Sequence, residues 1–558
     1  MAISTHQVQD ILILLLVFFV SMLLALALTP LADRLAWRTG LTDRPDKRKL
    51  HRFCVTRGGG LAISSALLLT LVMSVKWNSL LTAYWTASAV LLATGLVDDR
   101  IRLSSRCKFI FQVFAVSVFI WAGDIMLMDL GNILGFGEIE LGSLAFFFTV
   151  FAVVGVINAF NMSDGLDGLA AGLAGIACLF FIPFAYAQES WTYLLILTGL
   201  FGALLGFLRY NVHPARLFMG DSGSMFLGFT LAAAAVVLTQ GEITGVQEYE
   251  PVTALIILSL PIWDTLYVMT GRIVSRRSPF TPDRKHLHHR LMNLGFTHQV
   301  TVGLIYCLMF CLGITAWLVR PWPEWVQFYS LLVFYVTLYG GLWFWEKKKV
   351  APQKTYTPRT GLQEMLQPFM AISFRHRTKI FILIWGGCAL PAVMMQGSGP
   401  GLLYYIAFIL LFTGLYYPWK GGPKHVPIGH GLMFFGIYSL LLVYNAGFAH
   451  SAWFEPYMWS LAGLAGLWTL LRVLDTVRLR VLVPGCFEIL LLGAAIVSPV
   501  LLHYSLGIDE QIRRFLVLSF VQSIPLFLML KAYLRRDPVP NRRFMLYLML
   551  LFVLVGLV

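Results

Sequence analysis

With 558 residues, 58% of them hydrophobic and 13% charged, the chain is too apolar for a soluble enzyme and reads as an integral membrane protein. Its formal charge of +14 invites a nucleic-acid partner, but the Lys and Arg gather in alternate loops between apolar runs, which excludes that reading. The 7 cysteines show neither CxxC nor Cys/His spacing, so they are read as reduced packing residues and not as a disulfide framework or metal site.

Runs of about 18 or more apolar residues, each long enough to cross a hydrocarbon core of about 30 Å, recur along the whole sequence. The predicted fold is all-α and polytopic, with about eighteen spans. About eleven of them fall in residues 1–346, a basic cytoplasmic linker occupies 347–379, and about seven more spans fill 380–558. The first run, residues 11–28, has a weak cleavage site at Ala25-Leu26-Ala27, but no Lys or Arg precedes it, so it is read as an uncleaved helix with the N-terminus outside. Alternating the spans from there puts roughly 38 of the 42 Lys and Arg on one side, as expected of cytoplasmic loops. Lys76, Arg320, Arg513 and Arg514 are the exceptions. That basic face also suits anionic substrates and lipids.

The chemistry-bearing residues follow in order. Arg57-Gly58-Gly59-Gly60 opens the second span, where glycines let backbone N–H groups approach a phosphate or simply form a flexible junction. The third span ends in Asp98-Asp99, followed by Arg100, Arg102, Arg106, Lys108 and Gln112. Such paired carboxylates are either a solvated helix end or a place for Mg²⁺ or a general base, with Lys108 on phosphate. The fifth span runs into Asn158, Asn161, Asp164 and Asp167, a polar stretch at membrane depth and so a functional-site candidate. The bland alternative is a turn made by its two Asp-Gly pairs. Asn158, Asn161 and Asp164 lie three apart and share a helix face, whereas Asp167 would point away unless Gly165 and Gly168 break the helix and turn it back.

The eighth span opens with Met219-Gly220-Asp221-Ser222-Gly223-Ser224, in which Asp221 suits either a metal–diphosphate unit or an ordinary N-cap. Asp264, inside the ninth span, is read as an intrahelical polar contact. A loop of about 25 residues follows, much longer than usual connections, and carries Arg284-Lys285-His286-Leu287-His288-His289-Arg290. Three histidines in four residues suggest zinc, but no fourth ligand is evident. Beside Arg284 and Lys285 they read as diphosphate or sugar contacts, with a histidine as proton donor.

Asp98-Asp99 with Lys108 and Gln112, the Asn158–Gly168 stretch, Met219–Ser224 and the His286–His289 loop, in order and on one predicted face, give residues 11–345 a resemblance to the polyprenyl-phosphate N-acetylhexosamine-1-phosphate transferases, glycosyltransferase family 4. The segment Ser278-Pro279-Phe280-Thr281-Pro282-Asp283-Arg284 and the run Ser222-Gly223-Ser224-Met225 look closer to the branch using UDP-N-acetylglucosamine than to the phospho-N-acetylmuramoyl-pentapeptide branch. Cys54 and Thr56 stand where the family usually has prolines, and the last 200 or so residues lie outside the resemblance. The resemblance implies transfer of a sugar-1-phosphate from a UDP-N-acetylhexosamine to undecaprenyl phosphate, with release of UMP and with Mg²⁺ or Mn²⁺ as cofactor. It implies an inner-membrane location, a cytoplasmic active site and the start of a cell-envelope polysaccharide such as lipopolysaccharide O-antigen; a homodimer is compatible with it.

On the same footing Asp221, with Asn161, is the expected metal site, and Asp98 or Asp99 the general base or metal partner. Asn158, Asn161, Asp164, Asp167 and Lys108 are expected to position nucleotide and diphosphate, and Arg284, His286, His288 and His289 to touch phosphate or sugar. Direct attack by the lipid phosphate and a covalent aspartyl intermediate both remain open. The rival class is a transporter or lipid-linked-sugar flippase, disfavoured in the first half because the acids cluster at one face and not at mid-depth. In the second half that reading, an assembly scaffold or a further sugar-processing module all stand.

Overall fold

A computed structural model describes residues 5–43, 54–240, 249–278 and 285–348. By contacts the chain divides into Met1–Gln353 and Lys354–Val558, and every described residue belongs to the first unit. The linker beyond 348 and the further spans expected after it lie outside the described residues.

The elements run α1 (Thr5–Thr39), β1 (Thr42–Asp43), β2 (Val55–Arg57), α2 (Gly59–Ser74), α3 (Ser79–Ile101) and α4 (Ser105–Gly123). After a short turn of 3-10 helix come α5 (Ala145–Ser163), α6 (Leu169–Ala187), α7 (Trp191–Asn211), β3 (Leu217–Phe218) and α8 (Gly220–Gln240). The described part closes with α9 (Pro251–Val274), α10 (Leu287–Asn293), α11 (His298–Val319) and α12 (Glu324–Lys348). Ten of these helices are long and apolar enough to cross a membrane, which makes the protein a multi-pass membrane protein. The remaining expected span of this region, α2, has 16 residues. At 1.5 Å per residue it reaches only about 24 Å, short of a core of about 30 Å.

The arrangement is mostly helical, as expected, but the sequence reading missed a small sheet. β1 pairs antiparallel with β2, and β2 pairs parallel with β3, setting Thr56 against Leu217 and Arg57 against Phe218. This sheet ties the start of α2 to the start of α8. The three glycines there serve close packing: a Cβ on Gly59 would overlap Phe207, and one on Gly60 would overlap the backbone of Gly223. They are therefore packed contacts and not a loose hinge, and the Gly60 N–H donates to the Met219 carbonyl.

α6, α7 and α8 form the centre and are buried along most of their length, whereas α1 and α12 keep most of theirs exposed, as helices facing lipid would. Small residues explain how tightly the centre closes. On α7, Gly199, Gly202 and Gly206 recur at helical spacing and face α1. Cβ atoms on Gly202 and Gly206 would collide with the carbonyl oxygens of Phe18 and Met22. Close backbone approach through small residues is how helices associate where lipid supplies little hydrophobic drive.

The end of the bundle opposite the candidate site is closed by residues 124–142. Gln240, at the end of α8, accepts hydrogen bonds from the Met128 and Asp129 N–H groups, and Glu324, at the start of α12, accepts one from Asn132. Glu250 precedes α9 and faces the same acidic neighbourhood. Burial, then Glu324, Asp129 and Glu138, push its carboxyl up to about 7.

Two outcomes are expected. Adding methyl groups to a packed contact costs typically about 1–3 kcal/mol. Gly202→Val should therefore lower the melting temperature of the detergent-solubilised protein by several degrees. Gly155→Val, where no described residue lies within 4 Å, should leave it unchanged. Because the folded value for Glu250 lies above its ordinary 4.5, ionisation opposes folding. That penalty is absent below the ordinary value, grows up to about 7 and is complete above it. Glu250→Gln should raise the melting temperature at pH 8 and leave it unaltered at pH 4.

Candidate active site

The polar residues singled out in the sequence meet at one end of the bundle, where α3, α5 and α8 end or begin. α3 and α8 cross so closely that a Cβ on Gly95 would overlap the backbone of Ser222. This crossing sets Asp98 and Asp99 beside the first turn of α8. Asp99, its side chain fully buried, accepts bonds from the Asp221 N–H at 3.1 Å and the Ser222 N–H at 3.4 Å. The unpaired N–H groups that open a helix are thus capped from a neighbouring helix. Asp221 is thereby spared the capping role and turns to the cleft, where its Oδ2 lies 2.9 Å from Lys108 Nζ.

Lys108 bridges two acids, since the same ammonium lies 2.9 Å from Asp98 Oδ2. The other Asp98 oxygen accepts the Leu103 N–H at 2.6 Å, pinning the short α3–α4 turn. Ser104 caps α4 by accepting the Cys107 N–H, which starts the helix in the register that aims Lys108 inward.

Arg57 also belongs to this cluster, although in the sequence it looks like one more base of the cytoplasmic loops. The β2–β3 pairing carries it to the cleft, where Nη1 lies 3.3 Å from Asp99 and Nη2 2.8 Å from Asp43. Burial alone would lower the Arg57 value, but Asp43, Asp99 and Asp221 outweigh it and hold the guanidinium charged.

α5 ends as expected. Asp164 is its C-cap, and Gly168, at φ +79°, starts α6 in a conformation that favours glycine. Asn158 donates to Gln112 Oε1 at 2.9 Å, and Asn161 donates to Ser224 Oγ at 2.8 Å, so both tie α5 to its neighbours. Asp164 looks into the carboxylate group: burial, then Asp221 and Asp99, push it up to about 7, against a smaller pull from Arg57.

Asp167 does not turn back into that group. Its Oδ2 lies 2.7 Å from His213 Nδ1 and accepts the Ala215 N–H, and its own N–H donates to His298 Nε2. Burial works against its charge, but the bonds from His213 and Ala215 prevail and hold it below the usual carboxylate range. Among the described residues, Asp167, His213 and His298 are the group with metal-ligand spacing, their ligand atoms lying within 4.8 Å. Each of the three already takes part in the hydrogen bonds just described.

The histidine loop contains the short helix α10. His288 is buried and points at the Asp164–Asp167 turn, so that a Cβ on Gly165 would overlap its Nε2. Burial, then His289, lower its value to about 3, leaving the ring neutral. The rings of His286 and His288 lie parallel, with centroids 5.8 Å apart, and among the described residues these histidines form no group with metal-ligand spacing. Arg284 lies outside the described residues. Asp264 does not make the intrahelical contact expected of it; its carboxylate reaches the histidine loop, at His286 and Leu287.

A multi-pass membrane protein with carboxylates, cations and histidines gathered at one helix-bundle end is the class that fold and site define. Residues 81–239, from α3 to α8, match the sequence pattern of the family described as Glycosyl transferase family 4. The chain is 33% identical over 318 residues to a probable undecaprenyl-phosphate N-acetylglucosaminyl 1-phosphate transferase of Bacillus subtilis, covering 57% of this chain and 87% of that protein. It is 33% identical over 322 residues to the undecaprenyl-phosphate alpha-N-acetylglucosaminyl 1-phosphate transferase of Salmonella typhi, covering 56% and 85%. With the protein of that name in Escherichia coli K12 the figures are 32% over 321 residues, 55% and 85%. The chain belongs to glycosyl transferase family 4, on the branch of these relatives. Each relative covers little more than half of this chain.

Because a lysine ammonium cannot span Asp43 and Asp99 as the guanidinium fork does, Arg57→Lys should impair sugar-phosphate transfer by isolated membranes. Arg57→Met should reduce it further, by about a hundredfold.

Proposed function

We propose that the protein transfers N-acetylglucosamine 1-phosphate from UDP-N-acetylglucosamine to undecaprenyl phosphate, releasing UMP. In the direct form of the reaction, an oxygen of the lipid phosphate attacks the sugar-bearing phosphorus, and the bond from that phosphorus to the UMP oxygen breaks. The single observation that carries this reading is the meeting of Asp98, Asp99, Asp164 and Asp221 with Arg57 and Lys108 at one end of α3, α5 and α8. Two anionic reactants must be brought together there, and catalysis of phosphoryl transfer is chiefly positioning and charge stabilisation.

The donor set fits a hard divalent cation. The converging side chains offer carboxylate and amide oxygens, as Mg²⁺ or Mn²⁺ prefers, and the carboxylates outnumber the cations. Asp221 is the leading ligand, because its side chain is more exposed to the cleft than that of Asp98 or Asp99. Asp98 or Asn161 would complete the protein's share. When bound, the cation neutralises diphosphate oxygens and the developing charge. The residues of the chain do the rest. Lys108 and Arg57 draw the anionic reactants, Asp98 serves as base or second ligand, and Asp99 orients Asp221 through the α8 backbone. Asn158, Asp164 and Asp167 place the nucleotide and diphosphate, and His286, His288, His289 and Arg284 address phosphate or sugar.

In this reading the protein lies in a bacterial inner membrane, with the site at the cytoplasmic face, and starts a cell-envelope polysaccharide such as O-antigen. The seven or so spans that the sequence predicts in residues 380–558 are assigned a role in transport, in assembly or in further processing of the lipid-linked sugar. A flippase reading of the first half is not favoured, because the clustered acids Asp98, Asp99, Asp164 and Asp221 lie at helix ends and do not line a path at mid-depth.

The test is UMP release by purified protein given UDP-N-acetylglucosamine and undecaprenyl phosphate. Chelation should abolish release and added Mg²⁺ should restore it. Asp221→Ala should lower it at least about a hundredfold. Undiminished release by that variant would remove the metal role assigned to Asp221.

A further inference from the structure

Asp264 is a carboxylate buried in the middle of an apolar helix, a placement that is costly unless several donors satisfy it. Its donors come from two other elements. Oδ2 lies 2.9 Å from His286 Nδ1, and Oδ1 accepts the Leu287 N–H at 2.8 Å and the Tyr339 hydroxyl at 3.1 Å. One acid on α9 thus holds the ring of His286, the first turn of α10 and a side chain of α12.

The far end of α10 is held by the same two helices. Tyr267 on α9 and Tyr339 on α12 stack with centroids 4.1 Å apart, and the Arg290 guanidinium lies 5.3 and 5.7 Å from the two rings. Glu346 of α12 then takes Arg290 by a paired contact, with Nε to Oε1 and Nη2 to Oε2 both at 2.8 Å. The histidine helix is therefore clamped from behind, while His288 presses on Gly165 in front.

A carboxylate accepts protons and cannot donate one when ionised, so the nitrogen of His286 that faces Asp264 must carry hydrogen. We propose that Asp264 is a positioning residue: it fixes His286 with its proton on Nδ1 and leaves Nε2 for substrate, and it sets the pose in which α10 delivers its histidines to the site. Partners that orient a metal-bound imidazole in this way change activity about 10–100-fold when removed, and a change of the same order is expected for His286. The inference rests on the transferase reading for what His286 acts upon, and on the bonds of Asp264 alone for how His286 is held.

Asp264→Asn separates shape from charge. The amide oxygen still accepts from Leu287 and Tyr339, but the amide NH₂ now faces His286 Nδ1, which must accept and shift its proton to Nε2. The experiment is ¹⁵N-histidine NMR on the purified full chain, with His286 assigned by loss of its signals in His286→Gln, alongside steady-state UMP release. The expected result is Nδ1–H in the wild type and Nε2–H in Asp264→Asn. The variant's kcat should fall about 10–100-fold while KM for UDP-N-acetylglucosamine moves less than about threefold and the melting temperature holds. Asp264→Glu, which restores a carboxylate, should recover Nδ1–H and part of kcat. Tyr339→Phe, a milder change that keeps two of the three donors, should retain Nδ1–H with a kcat loss below about tenfold.

An unchanged tautomer or an unchanged kcat in Asp264→Asn overturns the proposal. So does a fall in kcat that tracks a fall in melting temperature and is not relieved by Asp264→Glu. If Asp264→Asn does not fold, Nε2–H in Tyr339→Phe overturns it and retained Nδ1–H supports it. Nδ1–H in the wild type and Nε2–H in Asp264→Asn, with no UMP released by the wild type, refute the transferase reading and leave the positioning of His286 standing.

Discussion

Where α3 crosses the first turn of α8, Gly95 leaves no room for a side-chain atom against Ser222, and the rest of the site depends on that proximity. It brings the Asp99 carboxylate onto the N–H groups of Asp221 and Ser222, so that a buried charge and an open helix start satisfy one another. Each would be costly alone at this depth. With Asp99 occupied in this way, Asp221 is turned outward, Lys108 can lie between Asp221 and Asp98, and Arg57 is drawn in from the sheet. A larger residue at position 95 would separate all of these at once.

The helices and the gathering of acids at one end were legible because long apolar runs fix where helices start and stop. Polar residues at those boundaries can then only meet others on the same face. The break at Asp164–Gly168 was likewise written in two glycines. Arg57 was hidden for the reason the topology was clear: in a chain whose loops are rich in bases, one working arginine looks like the rest. The sheet that places it has strands of two and three residues, too short to show any alternation. The partners of Asp167, His213 and His298, come from segments 46 and 131 residues away, with no motif of their own. Asp264 was misread because an isolated acid in an apolar run gives no sign of what lies beside it.

The two ends of the bundle treat like charges differently. At the candidate site, carboxylates are interleaved with Lys108 and Arg57, and the helix start of α8 supplies further positive potential. At the opposite end, Glu250 faces Glu324, Asp129 and Glu138, and loop N–H groups bond to Asp129 and Glu324. The first arrangement keeps charges available for anionic ligands. The second favours a proton on one of its members.

Lys108 has a further consequence. Its ammonium sits at equal distance from Asp98 and Asp221, at the place where acids with no intervening cation would repel each other. It is a counter-ion tethered to the chain, present from the moment α4 packs on α3. This end of the bundle therefore carries part of its own charge neutralisation. In the metal-dependent reading proposed above, a divalent ion held by these oxygens would replace the Lys108 ammonium, so loading the site would exchange one positive charge for another.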